Sequence, residues 1–582
     1  MDFAHFIEIY TLILYTKYIL NEEFFRFRTS SVARCKMIDY EKYGIKTYGV
    51  VPNERQMEWF KRERSIFFHF GMNTFTDKEW GDGTESPELF NPTDCDVDSW
   101  VKAIFEAGFT LAILTAKHHD GFCLWQTKYT EHSIKNSPYK NGKGDIVKEF
   151  TDACQKYGVK AGIYLSPWDR HEKTWGTDAY NDFYVGQLTE LLTNYGKIFE
   201  CWWDGAGSTE AVYDWERWAK TVHTYAPDAV IFGSLGATPW VDVRWVGNEK
   251  GIAGEPCYST IDASSLIYEY TNELNSGKPN GNRFIPAEAD VSIRPGWFYH
   301  ESQDNLVRTP ENLMELYYAS VGRGCGLLLN IPPNRKGQLG ENDVKSILGF
   351  NALLDKYFEK NLLTSAKVCT STQINGAPSI LDDGFFAPNQ GDALPSLTIK
   401  LPEKTEISTI MIGEAIELGQ KITKICVSAT VDGEKTELFS SQSVGYKLIK
   451  SFDAVTTDEI TVEILESLDT PVLDKIGAYM VNVSKESEKK RAKISAKTKK
   501  IGEKTLEIEL GGIFTFDTIY ADWFTEQKYK LYLFNGTDYD LVKENLASGY
   551  FLVKLDEPSD GAYRVKLEFE KDAPSDVTFI LE

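Results

Sequence analysis

Residues 198–207, IFECWWDGAG, join an apolar run to two tryptophans, an aspartate and two glycines. The pattern predicts a buried strand that ends in the carboxylate of Asp204 and is followed by a tight turn. One interpretation is that Asp204 caps a helix beginning near Thr209, because aspartate is a common helix N-cap. The other is that Asp204 is a site residue walled by large rings. The stretch supports both interpretations equally, so the surrounding chain has to decide between them.

The chain around this stretch alternates predicted strands with predicted helices. The apolar runs that predict strands lie at 65–71, 109–122, 159–169, 198–205, 229–236, 242–247, 284–291 and 326–333. Helical patterns lie at 97–107, 145–158, 179–195, 209–225, 310–322 and 341–358. Near-continuous apolar strands separated by helices are typical of a parallel sheet covered by helices. About eight such units in about 300 residues favour a (β/α)8 barrel over an open doubly wound sheet.

The length of the chain and a change in its sequence pattern predict further domains after the barrel. A chain of 582 residues is too long for one hydrophobic core. We expect an N-terminal extension (1–50), the barrel (51–361), a β-sandwich (362–483) and a linker with a C-terminal β-domain (484–582). Within the third segment, alternating runs predict strands at 394–402, 408–415, 424–433 and 459–467. The Lys-rich stretch 484–500 is interpreted as a solvated hinge.

Composition excludes several classes of function. A net charge of −23 argues against a nucleic-acid partner, which requires clustered Lys and Arg. The nine cysteines are scattered without a CxxC pair, so we expect reduced core residues and neither a zinc site nor a disulfide framework. No GxGxxG or GxxxxGK[ST] motif follows the first strand, and no cofactor is expected. The acidic start and Lys17 argue against a secretion signal or a membrane span, which predicts a cytoplasmic protein.

The active site of such a barrel lies at the C-terminal ends of its strands. The unusual residues there are His69, His118, His119, Asp169, Asp204 and Glu249. A retaining glycosidase needs one ionised carboxylate and one protonated carboxyl group about 5 Å apart. Asp204 and Glu249 are candidates for this pair, with tryptophans nearby to exclude water and face a sugar ring. The alternative for Glu249 is an ordinary surface-loop glutamate.

The histidines could instead indicate a metal. Metal-dependent barrel hydrolases place two histidines at i and i+2, on one side of a strand. His118 and His119 are adjacent, so on a regular strand they would point to opposite faces, which disfavours a metal pair. As hydrogen-bonding groups, they and His69 suit the vicinal hydroxyls of a sugar. Each could also be a hydrogen-bonded structural histidine.

Four separated motifs resemble one known family over about residues 52–360. They are FFHFGMNTFTDKEWGDG, AKHHDGF, CWWDGAG and RWVGNEKG, and they resemble glycoside hydrolase family 29, the retaining α-L-fucosidases. The resemblance implies that Asp204 is the nucleophile. It also implies a fucose pocket formed by His69, Glu79, Trp80, His118, His119, Tyr164, Trp202 and, from SIRPGWFYH, Trp297.

The motif RWVGNE resembles the branch of the family that prefers α-1,3- and α-1,4-linked fucose on branched, Lewis-type glycans. In that branch the Glu of the motif is the proton donor, which implies this role for Glu249. Region 362–483 is similar to a discoidin-type, galactose-binding-like sandwich. The implied partner is a fucosylated oligosaccharide or glycoconjugate, with no membrane partner, although the family is often secreted or lysosomal. Three alternatives stay open: a broad-specificity fucosidase or transfucosidase, a metal-dependent amidohydrolase, and a non-catalytic fucose-binding lectin.

Overall fold

The computed structural model describes residues 38–206, 210–262, 272–483 and 494–581. The last range is interrupted at 497, 515, 517, 535–538, 556–558, 560–561, 575–576 and 578. The described chain forms a closed barrel of eight parallel strands followed by two β-sheet domains, which confirms the predicted fold class. No helix of this described part is long and apolar enough to cross a membrane.

The barrel strands pair in the spatial order β1-β10-β9-β6-β5-β4-β3-β2, where β2 closes on β1. Their bounds are β1 Arg64–Phe68, β2 Leu111–Lys117, β3 Lys160–Leu165, β4 Ile198–Trp202, β5 Val230–Gly233, β6 Val243–Trp245, β9 Ala287–Ser292 and β10 Gly326–Asn330. A short antiparallel hairpin, β7 Thr260–Ile261 and β8 Arg283–Phe284, lies in the crossover between β6 and β9. All eight predicted strands are therefore present, and each is shorter than the apolar run that predicts it.

The helices of the barrel region bury their apolar faces against these strands. Their bounds are α1 Glu54–Phe60, α2 Met72–Thr76, α3 Val97–Glu106, α4 Ile146–Tyr157, α5 Asp178–Asn194, α6 Trp215–Tyr225, α7 Asn272–Ser276, α8 Pro310–Ala319 and α9 Glu341–Phe358. Asp96 and Asp145 cap α3 and α4, where their side chains accept hydrogen bonds from first-turn backbone N–H groups. Gly158, in the left-handed conformation, ends α4.

Helix α6 decides the first question that the sequence raises about Asp204. The helix predicted to begin near residue 209 begins at Trp215, and its N-cap is Asp214, whose side chain accepts from the Arg217 N–H. Asp204 lies ten positions earlier in the chain and does not cap this helix. The interpretation of Asp204 as a helix cap is therefore wrong.

The first β-sheet domain packs against the barrel. Its strands are β11 Lys367–Thr370, β12 Ser396–Glu414, β13 Ile422–Val431, β14 Glu434–Ser441, β15 Leu448–Ser467 and β16 Leu473–Tyr479. The two strands predicted at 394–402 and 408–415 are one strand, β12. The charged segment between them resembles a turn, but it stays paired with β15 through a register shift. Residues 38–48 join this domain: Tyr40 packs edge-on against Phe385 at 5.2 Å.

The second β-sheet domain contains β17 Ile494–Ala496, β18 Thr498–Gly502, β19 Thr505–Phe514, β20 Thr518–Phe534, β21 Tyr539–Lys554, β22 Ala562–Phe569 and β23 Phe579–Leu581. The end of the predicted hinge at 484–500 belongs to this sheet, since β17 pairs with β23 and β18 with β19. The first half of that hinge and residues 1–37 of the predicted extension (1–50) lie outside the described residues.

Candidate active site

Each residue predicted for the site lies at the end of a barrel strand or in the connection that follows that strand. His69 follows β1, and Glu79 and Trp80 lie in the loop after α2. His118 and His119 follow β2, Tyr164 lies near the end of β3, Trp202 ends β4, Asp204 follows it, Glu249 follows β6 and Trp297 follows β9. Because the strands are parallel, these positions share the C-terminal mouth of the barrel.

Asp204 is held from two sides. Its Oδ1 accepts the backbone N–H of Ala206 at 2.8 Å, and its Oδ2 accepts the Tyr164 hydroxyl at 3.1 Å. Burial, and next the charge of Asp204, raises the pKa of Tyr164 well above its ordinary value, so the phenol stays protonated and donates. The Asp204 side chain is 30% exposed, and it is thus oriented by fixed donors while it remains open to the mouth.

His119 lies beside this carboxylate as a neutral imidazole. Its Nδ1 is 2.8 Å from the Ser166 hydroxyl oxygen, and that hydroxyl donates its own hydrogen to the Trp168 carbonyl at 2.6 Å. Ser166 must therefore accept from His119 Nδ1–H, which leaves the Nε2 lone pair 3.7 Å from Asp204 Oδ2. Burial lowers the pKa of His119 below its ordinary value. A hydroxyl placed between Nε2 and the carboxylate could hydrogen-bond to either.

His118 and His69 have opposite hydrogen-bonding characters. The Asn73 amide nitrogen donates to the Glu79 carbonyl at 2.9 Å and lies 3.3 Å from His118 Nδ1, so Nδ1 accepts and Nε2 carries the proton. His69 Nδ1 donates to Asn330 Oδ1 at 2.8 Å, so its Nε2 is an acceptor. Burial lowers the pKa of His69 to about 3 and that of His118 well below its ordinary value. The mouth thus presents both a hydrogen-bond donor, on His118, and an acceptor, on His69.

The adjacent histidines do not point to opposite faces, contrary to the expectation for a regular strand. Their ring centroids are 4.1 Å apart, and both rings contact Tyr164, at 5.6 Å for His118 and 6.5 Å for His119. The cause is a register irregularity between Thr115 and Lys117, after which the chain leaves the strand. Even so, among the residues outside the masked segments, no group of three or more His, Cys, Asp or Glu side chains could hold a metal ion.

Trp202 is buried at the end of β4, and its ring packs inside the barrel. Its ring stacks on Phe232 with centroids 4.0 Å apart and lies 5.5 Å from the Tyr164 ring. Its Nε1 donates inward to Glu288 Oε1 at 3.0 Å. Trp203, the next residue, packs instead among the tryptophans of α6, at 5.6 Å from Trp215. The strand alternation separates the two rings, one to the barrel interior and one to the helical layer.

Glu249 lies at the same mouth of the barrel, in the loop after β6. Its Oε2 accepts the Trp297 indole N–H at 3.1 Å, and the Trp297 ring lies 5.0 Å from the His69 ring. Nearby, Asp290 accepts the Trp245 indole N–H at 2.9 Å. Burial, and next the charge of Glu249, raises the pKa of Asp290 well above its ordinary value. Glu249 lies in a loop, as the alternative interpretation expects, but it is half-buried and its carboxylate is hydrogen-bonded to Trp297.

Glu79 and Trp80 complete the rim. Glu79 Oε2 accepts the backbone N–H of Trp297 at 2.9 Å, which joins the loop after α2 to the loop after β9. Trp80 stands edge-on to the His119 ring at 5.7 Å and is 51% exposed, so one face of its indole is open to solvent. Asp169, the remaining strand-end candidate, lies below the pocket in a buried ion pair with Lys117 at 2.8 Å.

Several residues that orient the site were not singled out from the sequence. They are Asn73, Ser166, His300 and Asn330, each hydrogen-bonded to a predicted site residue. Ser166 and Asn330 directly follow or end apolar runs, and this signal could have found them. Asn73 and His300 lie in loops, where only the tertiary structure brings them to the site.

Two carboxylates, several aromatic rings and neutral histidines at one barrel mouth form a site suited to a carbohydrate-active hydrolase. Comparison with known proteins agrees. Residues 31–359 match the family model described as alpha-L-fucosidase. α-L-Fucosidase 1 of Arabidopsis thaliana is 38% identical over 449 residues, which cover 74% of this chain and 87% of the plant protein.

Solved structures give the same result. A Bacteroides thetaiotaomicron protein, named as a candidate α-L-fucosidase, is 42% identical with a TM-score of 0.73, over 75% of this chain and 99% of that one. A family 29 fucosidase of Ruminococcus gnavus, solved in complex with fucose, is 32% identical with a TM-score of 0.69, over 75% and 96% of the two chains. The chain belongs to the α-L-fucosidases of glycoside hydrolase family 29.

Proposed function

We propose that this α-L-fucosidase is a retaining exo-enzyme that releases terminal α-1,3- or α-1,4-linked fucose from branched, Lewis-type glycans. The observation that carries the proposal is the different setting of two carboxylates at one mouth. Asp204 is oriented by a hydroxyl and a backbone amide, and Glu249 by the Trp297 indole. The linkage preference is supported by the motif RWVGNE at 244–249, which ends in Glu249.

In the proposed mechanism Asp204 attacks C1 of fucose and forms a covalent glycosyl-enzyme intermediate. Glu249 first gives its proton to the departing glycosidic oxygen and then takes a proton from the water that releases fucose. His69, His118 and His119 hold the sugar hydroxyls, while Trp202 forms the floor. Glu79, Trp80, Tyr164 and Trp297 are proposed as the remaining residues of the fucose pocket.

The roles of the two carboxylates can be tested separately. Asp204→Ala should abolish the release of fucose from both aryl fucosides and oligosaccharides, and full activity would remove Asp204 from the mechanism. Glu249→Ala should lose more activity on oligosaccharides than on aryl fucosides, because only the former need a protonated leaving group. Added azide should restore activity to Glu249→Ala. Equal losses on both substrates without azide rescue would indicate another acid.

The product identifies the reaction. NMR of the fucose first released from a Lewis-type trisaccharide should show the α-anomer, as retention requires, and inversion would give the β-anomer. A panel of Lewis trisaccharides and 2′-fucosyllactose tests the linkage. Similar kcat/KM values on all of them would favour a broad-specificity enzyme, and fucosylated acceptor products would indicate transfer.

A further inference from the structure

His300 bridges two carboxylates at the edge of the pocket. Its Nδ1 is 2.9 Å from Asp77 Oδ1, and its Nε2 is 2.6 Å from Glu79 Oε1. Ionised carboxylates accept hydrogen bonds and cannot donate them. Both ring nitrogens must therefore carry hydrogens, so the bridge requires the imidazolium form. The side chain is 13% exposed, so solvent screens this bridge only in part.

The bridge joins the loops that follow β1 and β9, two strands separated in the barrel by β10 alone. Asp77 and Glu79 follow α2, and His300 follows β9 in the same loop as Trp297. Both carboxylate oxygens of Glu79 accept hydrogen bonds from the loop after β9. Oε1 accepts from His300, and Oε2 accepts the Trp297 backbone N–H at 2.9 Å. Trp297 in turn donates its indole N–H to Glu249. A single histidine thus supports a rim residue and, through Trp297, the second carboxylate.

Gly296, in the loop after β9, leaves the space that this contact occupies. A Cβ atom on Gly296 would lie 2.3 Å from Glu79 Oε1 and 3.2 Å from His300 Cδ2. Only glycine at this position lets the Glu79 carboxylate lie against the loop and reach both donors. The imidazole is therefore largely buried at this junction, while the side chains of Asp77 and Glu79 are 59% and 39% exposed and are partly screened by solvent.

We propose that His300 is a positioning residue, which as an imidazolium fixes Glu79 and the Trp297 loop in the geometry that binds fucose. This inference rests on the proposed fucose pocket. The charged groups around His300 are Asp77 and Glu79 across the junction, Glu301 beside it in the chain, and Arg335, which pairs with Asp77 at 3.3 Å. Burial alone lowers the pKa of His300, but the hydrogen bonds and charges of Glu79 and Asp77 outweigh it and raise the pKa above its ordinary value.

The expected pH dependence of fucose binding follows from the number of N–H donors on the His300 ring. Below the raised pKa both carboxylates are bound. Above it a neutral imidazole keeps one N–H and turns a lone pair toward the other carboxylate. The junction then loosens, so fucose binding should weaken on the alkaline side. A charge-assisted hydrogen bond of this kind corresponds to roughly a tenfold change in KM.

The test compares the full-length enzyme with His300→Gln. The Ki of L-fucose and the KM and kcat for an aryl α-L-fucoside are measured from about pH 5 to about pH 10, across which histidine titrates. In the wild type, KM and Ki should rise about tenfold on the alkaline side. In His300→Gln they should be raised already at acidic pH and should not rise further. His300→Arg, which keeps a cation and several donors, should recover part of the affinity at alkaline pH.

Two further variants make the result decisive. Asp77→Asn removes one carboxylate without changing His300 or Glu79, so the alkaline rise should move to lower pH. The matched control is His223→Gln, which changes another histidine near a carboxylate, 3.8 Å from Asp242 and away from the mouth. The control should keep the wild-type pH profile.

The inference is overturned if wild type and His300→Gln have parallel pH profiles, or if Asp77→Asn leaves the profile in place. These results are separable from a failure of the proposed function. An enzyme that releases fucose but shows no His300 dependence refutes only the positioning role. An enzyme that Asp204→Ala leaves fully active refutes the proposed site itself.

Discussion

The carboxyl groups of Glu200 and Glu288 lie inside the barrel and should make its stability depend on pH. Both side chains are fully buried, and Glu288 accepts the Trp202 indole N–H. Burial raises the pKa of Glu288 from 4.5 to about 7. Burial, and next the charge of Glu288, raises the pKa of Glu200 well above its ordinary value. The folded barrel therefore holds protons that the unfolded chain releases.

The sign and size of the effect follow from linkage. Because the folded pKa lies above the unfolded one, the folded state binds more protons between about pH 4.5 and about pH 7, and its stability falls as the pH rises through this window. One pKa unit corresponds to about 1.4 kcal/mol, so Glu288 alone accounts for up to roughly 3 kcal/mol. Glu288→Gln keeps an oxygen that can accept from Trp202 and cannot ionise.

Denaturant unfolding at about pH 5 and about pH 8 measures how the free energy of unfolding depends on pH. Relative to wild type, Glu288→Gln should gain about 1–3 kcal/mol at the higher pH and little at the lower one. Burial also raises the pKa of Asp120 and of Glu414 to about 7, but these groups are common to both proteins and cancel in the difference. Glu88→Gln, at an exposed position, is the control. Parallel dependence of stability on pH in wild type and Glu288→Gln would refute the reasoning.

Two other substitutions test the contacts around the site and between domains. Tyr164→Phe removes the hydroxyl that donates to Asp204, so kcat for an aryl fucoside should fall roughly ten- to a hundredfold. Its thermal midpoint should stay close to wild type, and unchanged kcat would show that the hydrogen bond is dispensable. Lys447→Met removes the cation that pairs with Glu63 at the junction of barrel and first β-sheet domain, and should cost about 3 kcal/mol in denaturant unfolding. Adding Glu63→Gln should restore part of this loss, and additive losses would contradict a direct pairing.

The barrel could be predicted because its signal is local. Near-continuous apolar runs identify strands that are covered on both sides, and the helical stripes between them leave few other topologies. Errors in the predicted strands occur where tertiary contacts determine where a strand begins or ends. Residues 403–407 look like a turn, yet β12 continues through them because β15 supplies hydrogen-bonding partners. The early start predicted for α6 is a different error, because Asp214, a common N-cap residue, directly precedes Trp215 and caps the helix.

The candidate site could be predicted in part for the same reason. Residues that end apolar strands reach the barrel mouth by topology alone, which places His69, His119 and Asp204 together. Their protonation states could not be predicted, because these depend on partners distant in sequence. Asn330 is 261 positions from His69, and Ser166 is 47 positions from His119. The chain direction after β2 also depends on its pairing with β3, which the sequence pattern does not contain.

The attachments of Asp204 and Glu249 match the different tasks proposed for them. Asp204 lies two residues after β4, and the Ala206 N–H binds its carboxylate within the same turn, so its line of attack is fixed by the barrel strand. Glu249 lies in the crossover after β6, where Gly251 N–H donates to the Asp290 carbonyl at 3.1 Å. A nucleophile needs one fixed approach to C1, whereas an acid/base must serve a leaving oxygen and then a water. Under the proposed mechanism, Asp204 at the end of the strand would act on fucose, and the residues around Glu249 would discriminate between leaving groups.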